Sequence, residues 1–192
     1  MENHSLILSS TSEIRRKLAS KFDSSIKFYS PTADEDALKK TLQGMEPAQL
    51  CYELAKAKSL SINHEFPNHL VLGCDQICLM DNNIFSKPIT EEQAQKNLRL
   101  LSGNTHNLIG SYVFVKNNTE LYKETIISTL TMRKLSEAEI SEYVLLDRPL
   151  QSCGSYMFEK NGYKLFSKVK GSLEEINGLP FKHLIDQVET YV

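Results

Sequence analysis

The residues best suited to chemistry are scattered: Asp75, the acidic run Asp34-Glu35-Asp36, Lys58, and a serine-rich start with Arg15. Leu70-Val71-Leu72 is an unbroken apolar run, as in a strand buried on both faces. It ends at Gly73-Cys74-Asp75. The glycine leaves room for a ligand or another backbone to come close. Asp75 is expected where the strand gives out into a loop, where α/β sheets place their chemistry; the plain alternative is a turn or cap. Asp34-Glu35-Asp36 reads as a solvated loop, or as oxygen ligands for a hard divalent cation. Ser10-Thr11-Ser12-Glu13 sets a hydroxyl three residues before a glutamate, a capping box. The N–H groups of the helix it opens, its hydroxyls and Arg15 would make a phosphate seat. The alternative is a capped helix with an exposed arginine. Lys58 follows Leu54 by four residues, at the edge of an apolar stripe, and either snorkels to water or leans into a cleft to meet an anion.

The elements that must position these groups alternate along the chain. A strand from Ser5 to Ser9 leads into a helix from Glu13 to Phe22, and a second strand covers Ser25 to Tyr29. Pro47 opens a helix to about Ile62, with Leu50, Leu54 and Ala57 as its stripe. After the central strand come a turn at Asp81-Asn82-Asn83, then Ser86-Lys87-Pro88. A helix follows, opened by Thr90 with Gln93, buried through Ala94, Leu98 and Leu101 and stopped at Gly103. His106 comes next, and a lone histidine is more often structural than catalytic. Ile109 to Val115 and Leu121 to Met132 form a hairpin about Asn117-Asn118. Ser136 and Glu139 mark a helix bearing Ile140, Tyr143 and Val144. A strand from Tyr163 to Val169 follows, and Gly178-Leu179-Pro180 introduces a last helix with Phe181, Leu184, Ile185 and Val188 on one face. Interleaved strands and helices argue for an α/β fold.

At 192 residues, 41% apolar, 24% charged and net charge −2, the chain has the composition of a globular protein with one core, or two lobes sharing one. No basic block suggests nucleic-acid or membrane binding. No apolar run spans a bilayer or forms a signal peptide, so a cytoplasmic location is expected. Cys51, Cys74, Cys78 and Cys153 suit a reducing compartment. Cys74 and Cys78 read as packing thiols, because four strand residues span roughly 13 Å.

These motifs resemble a family. Ser10-x-Ser12-x-x-Arg15, Asp34-Glu35, Lys58, Gly73-Cys74-Asp75-Gln76, Lys87-Pro88, Ser102-Gly103-x-Thr105-His106 and Gly178-Leu179-Pro180 occur in the order of the Maf family of nucleoside triphosphate pyrophosphatases, over nearly the whole chain. Gln76-Ile77-Cys78 and the segment Cys153 to Glu159 are similar to the branch acting on 7-methyl-GTP. The pyrimidine-acting branch tends to carry threonine and glutamine at the places of Gln76 and Glu159. The resemblance implies a single domain over 1–192, built as an elongated mixed sheet flanked by helices with two lobes around a cleft, similar to inosine-triphosphate pyrophosphatases. It also implies a homodimer. It assigns Asp75, Glu35, Lys58 and Lys87 to catalysis, Ser10, Ser12, Arg15 and His106 to substrate binding, and Ile14, Gln76 and Glu159 to specificity. Glu35 and Asp75 would hold Mg²⁺ or Mn²⁺. The chain departs from the family at Glu13-Ile14, Ser86, Asn104, Ser172 and Glu175.

The implied reaction is hydrolysis between the α- and β-phosphates of 7-methyl-GTP, giving 7-methyl-GMP and pyrophosphate, a house-cleaning of modified nucleotides. Alternatives are a Maf pyrophosphatase acting on dTTP and UTP or on a broad range, a generic inosine-triphosphate pyrophosphatase, and a non-catalytic nucleotide-binding regulator of cell division.

Overall fold

The computed structural model describes residues 6–188; Ser5, expected to open the first strand, lies outside them. Along the chain run β1 (Leu6–Ser9), α1 (Glu13–Phe22), β2 (Lys27–Tyr29), α2 (Glu35–Thr41), α3 (Pro47–Asn63), β3 (Leu70–Met80) and β4 (Asn83–Phe85). Then follow α4 (Glu91–Leu101), β5 (Thr105–Lys116), β6 (Thr119–Met132), α5 (Glu137–Asp147), β7 (Phe166–Lys170), α6 (Leu173–Ile176) and α7 (Phe181–Val188). The fold is mixed α/β. Seven strands form one sheet in the order β2-β1-β3-β5-β6-β7, with β4 also paired to β3. β1 runs parallel to both β2 and β3, whereas β4 and β7 pair antiparallel. Among the described residues no helix is long and apolar enough to cross a membrane.

The chain divides into two compact units. The first comprises the chain up to Asp75, Gly110–Ile126 and the chain from Gly178 on; the second comprises Gln76–Ile109 and Ile127–Asn177.

In the first unit the core gathers Leu8, Leu70, Leu72, Cys74, Tyr112 and Phe114 with Leu179, Phe181, Leu184 and Val188 of α7. The central strand does not stop at Asp75, as the sequence suggests, but continues to Met80. What stops is its neighbour: β1 pairs with Leu70–Gly73 and ends at Ser9, so Asp75 lies two residues beyond that pairing. The buried face of α3 is Cys51, Leu54, Ala55, Lys58, Ser59 and Ile62, not the stripe through Leu50 and Ala57, which are half-buried. Small Ala55 and Ser59 let the helix lie against the strand at Gly73, where an added Cβ would stand 2.2 Å from the Ala55 carbonyl oxygen. The close approach anticipated at Gly73 is therefore that of another backbone. Asn63 fixes the far end of α3: its Oδ1 accepts from Asn118 N–H at 2.8 Å, and its Nδ2 donates to the His69 carbonyl at 3.0 Å. Asn117 and Asn118 both have positive φ, at 52° and 57°, the backbone a two-residue hairpin loop favours.

In the second unit α4 and α5 pack through Ala94, Leu98, Leu101, Ile140, Tyr143 and Val144 around Leu130 and Met132. Ser136 and Glu139 form the expected capping box. The strand expected from Tyr163 begins only at Phe166, because 162–165 turn in a short 3₁₀ helix.

Candidate active site

Three charged side chains meet in the first unit. Lys58 Nζ lies 2.7 Å from Asp75 Oδ1 and 3.1 Å from Glu35 Oε1. Lys58 is 8% exposed and Asp75 9%, so neither charge is well hydrated. Burial acts to lower the lysine's pKa. The carboxylates of Asp75 and Glu35 outweigh it and hold the ammonium above its ordinary range. Of the two fates the sequence allowed Lys58, the structure shows the anion contact rather than snorkelling to water. The lysine's own backbone is pinned: its carbonyl accepts from Ser9 Oγ at 2.7 Å and from Ser61 Oγ at 2.9 Å.

Glu35 is delivered by a helix where a loop was expected. Asp34 caps α2 by accepting from Ala37 N–H at 2.9 Å, which sets Glu35 in the first turn, where a carboxylate favours the helix dipole.

The start of α1 also differs in detail. Its N-cap is Ser12, not Ser10; Ser12 Oγ accepts from Arg15 N–H, and Ser10 Oγ accepts from Ser12 N–H at 3.1 Å. Each hydroxyl keeps its own proton to donate. Ile14 is half-buried on this helix. The Arg15 guanidinium donates to the carbonyls of Gly178 and Cys74, both at 2.9 Å, so it is anchored to the residue preceding Asp75.

Cys51 is a neighbour that reading the chain missed. Its thiol donates to Asp75 Oδ2 at 3.9 Å, and burial, aided by the Asp75 charge, pushes its pKa up to about 12. The signal was its spacing: Cys51 precedes Lys58 by seven residues and shares its helix face.

The remaining candidates belong to the second unit. Gln76 donates its amide to the carbonyls of Glu175 at 3.0 Å and Ile176 at 3.4 Å, at the end of α6. Ser172 and Glu175, two of the departures from the family pattern, build the capping box that starts that helix. Asn104, another departure, donates to the carbonyls of Leu100 and Ser102 and closes the end of α4. Lys87 is exposed and precedes a strained turn, in which β-branched Ile89 holds φ at +63° and Thr90 N–H donates to the Pro88 carbonyl. Glu159 is exposed in a turn.

His106, expected to bind substrate, is 2% exposed, with Nε2 2.8 Å from the Tyr156 hydroxyl and its ring packed against Phe166. Burial pushes its pKa down to about 4. An unfolded chain protonates this imidazole near pH 6.5, before the folded one does. The stability that neutral His106 preserves is thus complete above that pH and is lost on acidification towards about pH 4, by about 3 kcal/mol. Urea unfolding near neutral pH and near pH 4.5 should show the loss, and His106→Gln should remove that share of the pH dependence.

Among the described residues no three His, Cys, Asp or Glu side chains gather as a metal cage. Glu35 and Asp75 nevertheless suit a hard dication, since Mg²⁺ takes one or two carboxylates and fills its shell with phosphates and water.

The family model for Maf-like protein matches residues 5–191. Nucleoside triphosphate pyrophosphatases of Legionella pneumophila, from strains Philadelphia 1 and Lens, are each 34% identical over 186 residues, covering 97% of this chain and 93% of theirs. The solved Staphylococcus aureus Ham1 protein is 11% identical with a TM-score of 0.49, covering 97% of this chain and 98% of that one; at that score the likeness carries no functional weight. With a family match over nearly its whole length, and relatives a third identical from end to end, the chain belongs to the Maf family of nucleoside triphosphate pyrophosphatases.

Proposed function

We propose that the chain hydrolyses 7-methyl-GTP to 7-methyl-GMP and pyrophosphate. Water attacks the α-phosphorus, the bond from that phosphorus to the α–β bridging oxygen breaks, and pyrophosphate leaves with the electron pair. The observation that carries this chemistry is the contact of Lys58 with both Asp75 and Glu35. Asp75 is the group that takes the proton of the attacking water. Lys58, released from its carboxylates, meets the charge that develops on the phosphate oxygens, and Arg15 and Lys87 hold the rest of the triphosphate. Ser10 and Ser12 donate their hydroxyl protons to it. A Mg²⁺ or Mn²⁺ ion held by Glu35 and Asp75 would neutralise phosphate charge and polarise the α-phosphorus. The four cysteines are thiols rather than disulfides, which suits a cytosolic setting.

The base preference rests on Gln76 and Glu159. With its Nε2 committed to two carbonyls, Gln76 offers the base an acceptor oxygen. Glu159 accepts from guanine N1–H and N2–H, and its charge favours a base made cationic by N7-methylation. Hydrogen bonds to a charged group contribute about 1.5–3 kcal/mol each. Glu159→Gln should therefore lower kcat/KM for 7-methyl-GTP by about 10- to 100-fold and leave UTP and dTTP turnover nearly unchanged. Pyrophosphate release from a panel of canonical and methylated nucleotides, with Mg²⁺ or Mn²⁺, tests both claims. Equal losses on all three substrates would refute the role of Glu159, and a panel led by UTP or dTTP would refute the substrate.

A further inference from the structure

We infer that Lys58 makes divalent-cation binding conditional on nucleotide, so that metal and triphosphate enter together and the free protein leaves a free dication in solution. The inference rests on reading Glu35 and Asp75 as the carboxylates that hold the metal.

The Lys58 ammonium touches one oxygen of each carboxylate, at 2.7 and 3.1 Å. A cation held by both carboxylates would have to compete with it. The lysine is not a loose surface chain that yields readily. It leaves the buried face of α3, its side chain is 10% exposed, and two serine hydroxyls hold its carbonyl. Formal charge points the same way. Glu35 and Asp75 supply two negative charges and Lys58, touching both, cancels one of them, so a free dication meets a weakened attraction and the repulsion of the ammonium.

A triphosphate reverses that balance. It brings about four negative charges and a row of oxygens onto which the ammonium can transfer its donors, freeing both carboxylates. It also completes a coordination shell that two carboxylates leave largely open. Lys58 therefore has two successive partners, the carboxylates before the nucleotide arrives and phosphate oxygens afterwards.

Mn²⁺ is the probe, followed by its electron paramagnetic resonance signal in titrations of the whole protein. Wild type alone should leave the free Mn²⁺ signal nearly intact. Adding a triphosphate with a non-hydrolysable α,β-methylene bridge should produce a protein-bound Mn²⁺ spectrum distinct from that of the Mn²⁺–analogue complex. Lys58→Met alone, without nucleotide, should bind Mn²⁺ at least about tenfold more tightly than wild type, because the repelling charge is gone. Lys58→Arg should keep the exclusion, and adding Glu35→Gln to Lys58→Met should abolish the gain. Circular dichroism checks folding, and Lys58→Gln, which keeps a donor for Asp75, carries the test where the methionine variant does not fold. Wild type binding Mn²⁺ alone as tightly as Lys58→Met, or neither neutral variant gaining affinity, overturns the inference. A wild type that releases no pyrophosphate from any nucleotide fails the proposed function instead, while the Mn²⁺ titrations still report on Lys58.

Discussion

Asp75→Asn should stop hydrolysis while nucleotide still binds. The substitution keeps the side chain's shape, and the amide oxygen can still accept from Lys58 Nζ where Oδ1 now does at 2.7 Å. What it removes is the charge and the basicity. Loss of a positioned base costs about 10²- to 10⁴-fold in rate, and kcat should fall within that range. Docking of the triphosphate itself relies on the cationic groups, so the Kd of a non-hydrolysable analogue measured without divalent metal should move little. Stability should also fall, because Lys58 keeps only the partly exposed Glu35 as an anionic partner. Breaking a buried pair from one side costs about 3 kcal/mol, which in a chain of this size lowers Tm by about 6–12 °C. The assay must therefore run well below that lowered midpoint. A folded variant that turns over within about tenfold of wild type would show that Asp75 is not the base.

How much of this was legible depends on the range of the interaction. Elements set by local rules stood plainly in the sequence: α1 over Glu13–Phe22, the Ser136/Glu139 box of α5 and the Asn117-Asn118 hairpin. The failures were of two kinds. Some local signals went unused, such as Asp34 as the cap of α2 and the Ser172-x-x-Glu175 box of α6, noticed only as a departure from a family pattern. Others were not local at all. Beside Asp75 the strand β3 is flanked by β5 from a distant part of the chain, whereas its last residues, Cys78–Met80, pair with the adjacent β4 across the Asp81-Asn82 turn, a local signal. Nothing near Lys58 says whether it meets water or an anion. That is decided by Asp75, 17 residues away, and by the seating of α3 on the sheet, which no periodicity within α3 records. For the same reason the buried face of α3 was misplaced: the helix turns its small residues, not its leucines, toward Gly73.

Gly73→Ala should accordingly damage fold and activity together. The new Cβ would stand 2.2 Å from the Ala55 carbonyl oxygen, 2.6 Å from the Ser59 nitrogen and 2.9 Å from Ser59 Cβ. The first two obstacles are helix backbone, so no side chain can rotate away and α3 itself must move off the strand. Overpacking of this kind costs about 3 kcal/mol where the neighbours are rigid. The same displacement carries Lys58 and Cys51 away from Asp75 and strains the Ser9 bond to the Lys58 carbonyl. A shift of 1 Å in a catalytic group is worth about 10²-fold in rate, so kcat should drop by that order even in the fraction that remains folded. Gly103→Ala separates packing from backbone preference: Gly103 has φ +76° but open space around its Cβ, and the change should cost about 1 kcal/mol through conformation alone, with kcat unaltered. Because the barrier at Gly73 is backbone, trimming Ser59 to glycine in the Gly73→Ala protein should restore neither stability nor rate. Denaturant unfolding and pyrophosphate release on the two single variants and the double variant measure this. Full recovery in the double variant would mean that the Ser59 side chain, not the helix backbone, sets the distance between α3 and β3.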